Sequence, residues 1–152
     1  MKRKFGCQKG AAAVEAAIVL SLFLVPLFMG IIDASLAIYN AQVIANASRE
    51  GARFGIKARD SKYTETEIEE VINHYCFGSG GNNKRLLTWG SEVSSISPDD
   101  INIVWSNSAS AQTYEDTITV TVTFRYSPLF LGILLPELTL QETTHMRMEG
   151  LN

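Results

Sequence analysis

With 152 residues, 46% of them hydrophobic and 19% charged, the chain has room for one modest domain and a segment or two beyond it. The net charge of −3 would become −7 if residues 1–10, which carry four cations and no acid, were removed. So acidic a body lacks the clustered Lys and Arg that neutralise phosphates, and nucleic acid is excluded as an expected partner.

The chain opens on a basic leader, Lys2, Arg3, Lys4 and Lys9, followed by an apolar run. Over residues 11–32 the only charged side chain is Glu15, and residues 16–32 carry no charge at all. Crossing about 30 Å of hydrocarbon takes about 20 helical residues, with about 17 as the lower limit, so this run meets the length of a membrane span. Positive flanks stay in the cytoplasm, which places the N-terminus inside and everything after the span outside. A cleaved secretory signal has a shorter apolar core, about 7–15 residues, with an Ala-x-Ala site behind it. Here no such triplet followed by polar chain appears until Ala45-Asn46-Ala47, which lies within a helical pattern, so the apolar run is expected to stay as an anchor. Cys7 falls in the leader and faces the reducing cytoplasm, so no internal disulfide with Cys76 is expected.

The junction Lys9-Gly10-Ala11, with Glu15 five residues past the glycine, resembles that of prepilins. Their peptidase cuts on the cytoplasmic side and leaves the anchor in place. A carboxylate inside a span costs upward of about 2.5 kcal/mol and usually has a partner. Cleavage after Gly10 would create an ammonium group at Ala11, about 6 Å of helical rise from Glu15. Glu15 can pair with that amine on its own chain or on a neighbour; otherwise it lies solvated at the headgroup level.

Nothing breaks the helix decisively after Ile32. Pro26 removes one backbone donor and is expected to kink the apolar half. Residues 33–59 hold no proline and keep an amphipathic pattern, so the helix is expected to run from Ala11 to about Lys57, as the spine of a domain outside the membrane. Ala34, Ala37, Ala41, Ala45, Ser48, Ala52 and Gly55 form a seam of small side chains that lets another backbone approach closely. Leu36, Tyr39, Val43 and Phe54 supply bulk elsewhere. The seam packs either on the chain's own sheet or on another subunit. Arg49, Glu50 and Arg53 fall on the exposed side, where Glu50 and Arg53 are spaced to pair for a few tenths of a kcal/mol.

A second helix is expected over about 64–75. Thr64 or Ser61 caps it, Glu65, Glu67, Glu69 and Glu70 favour its N-terminal end, and Ile68, Val71, Ile72 and Tyr75 form its apolar face. Cys76 reads as a small core residue, with an intermolecular bridge or a reactive thiol as the alternatives. The glycine-rich stretch from Gly78 to Asn83 ends the helix as a flexible loop. It has no strand–loop–helix context, which argues against a phosphate loop.

The last third alternates with period two. Ile101, Ile103 and Trp105 mark one strand; Ile118, Val120, Val122, Phe124 and Tyr126 alternate against threonines and Arg125 in a second; Leu138, Leu140, Thr144, Met146 and Met148 suggest a third. Seven residues between Pro128 and Pro136 are apolar or glycine, too few to span a bilayer. They fill the core, touch the membrane surface or form a partner-binding patch. The expected fold is α+β: a helix over 11–57, transmembrane over about 11–32, then a soluble extracytoplasmic domain over 58–152. That domain holds a short second helix and a roughly three-stranded antiparallel sheet.

The segment from Lys9 through Gly10 and Glu15 to Leu20, Pro26 mid-span, and Arg49-Glu50-Gly51-Ala52-Arg53 resemble TadE-like pseudopilins, minor components of the tight-adherence (Flp) pilus machinery. Strand residues 117–126 and the tail from His145 to Glu149 fit the family's closing strands more weakly. The resemblance implies a pilin-like fold, cleavage between Gly10 and Ala11, a processing or assembly role for Glu15, and Arg49 to Arg53 as a family signature. It also implies a role in pilus biogenesis at the cytoplasmic membrane rather than catalysis. The implied partners are a prepilin peptidase, other pilins (a TadF-like protein or the major Flp pilin), the inner-membrane assembly platform and membrane lipid. Major Flp pilins carry an aromatic residue beside the glutamate; Ala16 stands there, which argues for a minor pilin.

His74 and Cys76 lie two apart near a helix end and His145 in a strand, but a second ligand pair at metal-binding spacing is missing. No metal or other cofactor is expected, and neither is an enzyme. The alternative function is a membrane-anchored extracytoplasmic binding or sensor domain with no part in a fibre.

Overall fold

The computed structural model describes residues 8–57, 62–78, 85–87, 95–107, 116–130, 132 and 137–148. Its dominant element is helix α1, Gln8–Gly55, 48 residues and about 70 Å long. It begins three residues before Ala11, runs through Pro26 and ends two residues short of Lys57. The proline leaves the Leu22 carbonyl without its usual donor, yet the helix continues.

Helix α2, Glu65–Phe77, starts where the sequence provides a cap. The Thr64 hydroxyl accepts from the Glu67 N–H (3.3 Å) and the Glu67 carboxylate accepts from the Thr64 N–H (2.8 Å), a reciprocal capping box. Gly78 ends it at φ 73°, a left-handed backbone that favours glycine. The rest of the glycine-rich stretch, residues 79–83, lies outside the described residues, as does Ser61. Ile68, Ile72, Cys76 and Phe77 are buried, while Val71 and Tyr75 are half-buried.

Three antiparallel strands follow: β1 (Ile101–Trp105), β2 (Thr117–Tyr126) and β3 (Leu138–Arg147), in the order β1-β2-β3. Ile103 faces Val120 across the first pair and Thr121 faces Thr143 across the second. The period-two pattern of β2 resolves as read: Ile118, Val120, Val122, Phe124 and Tyr126 are buried and the alternate threonines are not. On the outer face the threonines cross-link the strands, Thr121 to Thr143 at 3.0 Å and Thr119 to His145 at 2.8 Å. The chain is thus α+β, with the C-terminal half of α1 packed against α2, β2 and β3.

Cys76 is a core residue. It is fully buried, and that burial, opposed only in part by Arg85, pushes its thiol up to about 12, which leaves it without thiolate reactivity at neutral pH. The far end of the head is closed by Lys62, whose ammonium meets the Asp116 carboxylate at 3.2 Å, donates to the Asn107 carbonyl and lies 5.1 Å from the centre of the Trp105 ring. Both side chains of that ion pair are nearly buried, so removing either one would leave a buried charge without its partner.

Candidate functional site

The feature that sets this chain apart from an ordinary α+β domain is α1, which has two environments. From Gly10 to Phe28 every residue is exposed, and the exposed side chains include Ile18 (63%), Leu22 (71%) and Phe23 (73%). More than four helical turns of bare aliphatic and aromatic surface cannot stay in water unaccompanied. By length and composition this is the one helix among the described residues able to cross a membrane. Within it the Ser21 hydroxyl donates to the Ala17 carbonyl at 2.7 Å, and so does not need water. Val14, Ala17, Ser21, Val25 and Pro26 line an open furrow on one side of this stretch.

Gly10, Ala11 and Glu15 all lie in this exposed stretch, on continuous helix. A Cβ at Gly10 would meet nothing within 4 Å, so the head does not require glycine there. Its small size is free to serve whatever handles the N-terminus.

The second environment begins at Asp33. A buried stripe then follows the helical repeat through Asn40, Ile44, Ala47, Ser48, Gly51, Ala52 and Gly55. Of the small-residue seam, Ser48, Ala52 and Gly55 are buried, Ala37, Ala41 and Ala45 are half-buried, and Ala34 is exposed. The upper seam packs on the chain's own elements: a Cβ at Gly55 would come within 2.6 Å of the Ile118 side chain. Val43, read as bulk outside the seam, is itself core. The buried stripe is centred about one residue from the seam, through Asn40, Ile44 and Ala47 rather than Ala41 and Ala45.

Three buried polar side chains latch α1 to distant parts of the head. Asp33 accepts from the backbone N–H groups of Leu129 (3.1 Å) and Phe130 (2.9 Å). Asn40 both donates to the Leu87 carbonyl and accepts from the Leu87 N–H, each at 2.9 Å. Ser48 bonds Thr144 on β3 at 2.7 Å. Sequence reading missed Asp33 and Asn40. The available signal was their spacing, seven apart on one face and in phase with Ile44 and Ala47.

The segment Arg49 to Arg53 divides cleanly. Gly51 and Ala52 face inward, where a Cβ on Gly51 would sit 2.7 Å from Cγ1 of Ile72. Arg49, Glu50 and Arg53 point outward. The expected Glu50–Arg53 pair does not form among the described residues; at full exposure it has too little energy to hold two long side chains. Arg49 instead donates to the Asn46 side chain at 3.2 Å.

Elsewhere among the described residues no chemistry converges. His74 faces solvent while Cys76 lies in the core, so the two do not form a dyad. His145 is engaged by Thr119 on the outer face of the sheet. Among the described residues no group of three or more His, Cys, Asp or Glu could hold a metal ion.

These features define a class: a head domain built on the upper half of a helix whose lower half is long and apolar enough to cross a membrane. Comparison with known families sharpens it, since the TadE-like protein family matches residues 10–53, nearly the whole of α1. Over that helix the chain is similar to the TadE-like family, which is a pilus-associated structural family and not a family of enzymes. No curated protein and no solved structure matches the chain.

Proposed function

We propose that this protein is a minor pilin or pseudopilin that acts in the biogenesis of Flp-type tight-adherence pili. In this reading a prepilin peptidase removes residues 1–10, the apolar half of α1 crosses the cytoplasmic membrane with its N-terminus inside, and the head lies beyond the outer face. Glu15 pairs with the new ammonium group at Ala11 of a neighbouring pilin, which offsets the cost of its charge in lipid and sets the register of helix packing. The observation that carries the proposal is the coincidence of the TadE-like match, residues 10–53, with one unbroken helix that is bare at one end and core at the other. Such a helix can exchange lipid for other helices without disturbing its own head.

Intact-mass measurement of the membrane-extracted protein tests the processing step. The expected mature chain begins at Ala11, and Gly10→Ala or a bulkier substitution leaves it at full length. A native chain still beginning at Met1 would refute the reading and favour an anchored binding or sensor domain. Glu15→Leu is expected to insert normally yet abolish surface pili; abundant pili in that strain would remove the role assigned to Glu15.

A further inference from the structure

Outside the apolar stretch, the large hydrophobic side chains exposed among the described residues are Ile38, Tyr39, Leu87, Val104, Leu129 and Leu138. All but Val104 gather at one end of the head. Ile38 and Tyr39 lie within two turns of Asp33 along α1, and Leu87 is tied to Asn40. Leu129 is tied to Asp33 itself. Leu138 pairs with Tyr126, which precedes Leu129 by three residues. An independent measure agrees. From the Ser48–Thr144 bond, α1 descends about 22 Å to Asp33, and β3 descends about 20 Å to Leu138. Asp33 directly follows Ile32, the last residue of the uncharged run, so this end of the head lies level with the point where the helix leaves the hydrocarbon.

We propose that the head does not stand clear of the membrane but sits on it, with Leu129, Leu138 and their exposed neighbours immersed at the headgroup–acyl boundary and Asp33 as the latch that holds Leu129 and Phe130 at that depth. This rests on the reading of residues 11–32 as the span. Two things select lipid as the occupant. Exposed apolar side chains continue along α1 on both sides of Asp33, from Ile31 and Ile32 to Ile38. Tyr39, 42% exposed, lies at the depth where an aromatic ring with a polar tip favours the interface. The latch suits its place: a carboxylate that accepts two backbone N–H groups satisfies donors that would otherwise be left bare at the edge of the oil.

The test uses the full chain in vesicles of phosphatidylethanolamine and phosphatidylglycerol, in a Cys7→Ser background. Cys76, buried, stays. A nitrobenzoxadiazole label is placed singly at Leu129→Cys, at Val104→Cys and at Leu22→Cys, and quenching is read with lipids carrying a nitroxide near the headgroup or deep in the chain. The label at 129 is expected to be quenched by the shallow nitroxide several-fold more than the label at 104, and Asp33→Ala to bring it down toward the level at 104. Equal quenching at 129 and 104, with residue 22 deeply quenched, overturns the seated head and leaves the anchor standing. An unquenched residue 22 overturns the anchor and the seat together. A blue-shifted label at 129 that no lipid quenches means a protein surface covers it, and that also overturns the proposal. If quenching at 129 survives Asp33→Ala, the role of Asp33 as latch is refuted.

Discussion

The two halves of α1 share one unbroken backbone and obey opposite rules. Below Asp33 the hydrophobic side chains surround the helix and none is buried, so no face is preferred and no position is fixed by a neighbour within the chain. Above it polar and charged residues enter, and the buried side chains fall into a stripe with partners in the head: Gly51 under Ile72, Gly55 under Ile118, Ser48 on Thr144. Composition marks the lower half, which carries no charge over 16–32; periodicity marks the buried face of the upper half. A helix that must meet lipid or many copies of itself keeps its surface uniform, whereas one that serves as a spine differentiates its faces.

The contrast predicts very different tolerance to the same mutation. Ile44→Ala removes a fully buried side chain and is expected to destabilise the head by about 2–5 kcal/mol, seen as a lowered denaturation midpoint of the full chain in micelles. Leu22→Ala, made where the side chain is 71% exposed, is expected to leave that midpoint unchanged. A comparable loss at both sites would mean that the halves are not independent. Gly51→Val is a finer probe. Its branched side chain would be driven into Ile72, a few bonds from the α2 backbone, at a cost of about 1–3 kcal/mol. Valine at Gly10, where nothing lies within 4 Å, would cost the head nothing by the same measurement.

The difference between the halves also explains what could be read in the sequence. The helix through 16–32, the strict alternation of 117–126 and a cap at Thr64 are local patterns that resolved as read, with the Glu67 half of the capping box unread, because neighbours a few residues apart decide them. The side on which the long helix buries itself was only half legible. Small residues mark close approach, yet the stripe is anchored by Asp33 and Asn40, whose partners lie 96 and 47 residues away in connections with no period of their own. Nor does any local rule decide whether Ser48, Ala52 and Gly55 face the chain's own elements or a neighbour's; it takes the side chains of Ile118 and Ile72 to do so. Glu15 is legible as an anomaly for the opposite reason, since one acid in an otherwise uncharged run stands out without any fold at all.

Tyr126 supplies the smallest and sharpest probe of the boundary between the halves. It is buried at the end of β2, and its hydroxyl has no hydrogen-bond partner among the described residues. Burial first, and the Asp33 carboxylate second, raise its pKa above the usual value for tyrosine. The folded chain therefore holds this proton to higher pH than the unfolded chain does. Stability from this source is fully present below about pH 10 and is lost as pH climbs from there through the raised folded value, because the unfolded state ionises first. Cys76 adds a loss of the same sign between about pH 9 and about pH 12, so only a difference between variants isolates the phenol. Tyr126→Phe removes an unpaired polar atom and keeps the ring, so at pH 7 it is expected to be neutral or to stabilise by up to about 1 kcal/mol. At pH 11 its advantage over the parent should widen, as read from denaturation midpoints in micelles at the two pH values. An advantage that stays flat or shrinks would mean that the hydroxyl has a partner in solution, and that the carboxylate at the top of the apolar stretch is not the neighbour Tyr126 feels.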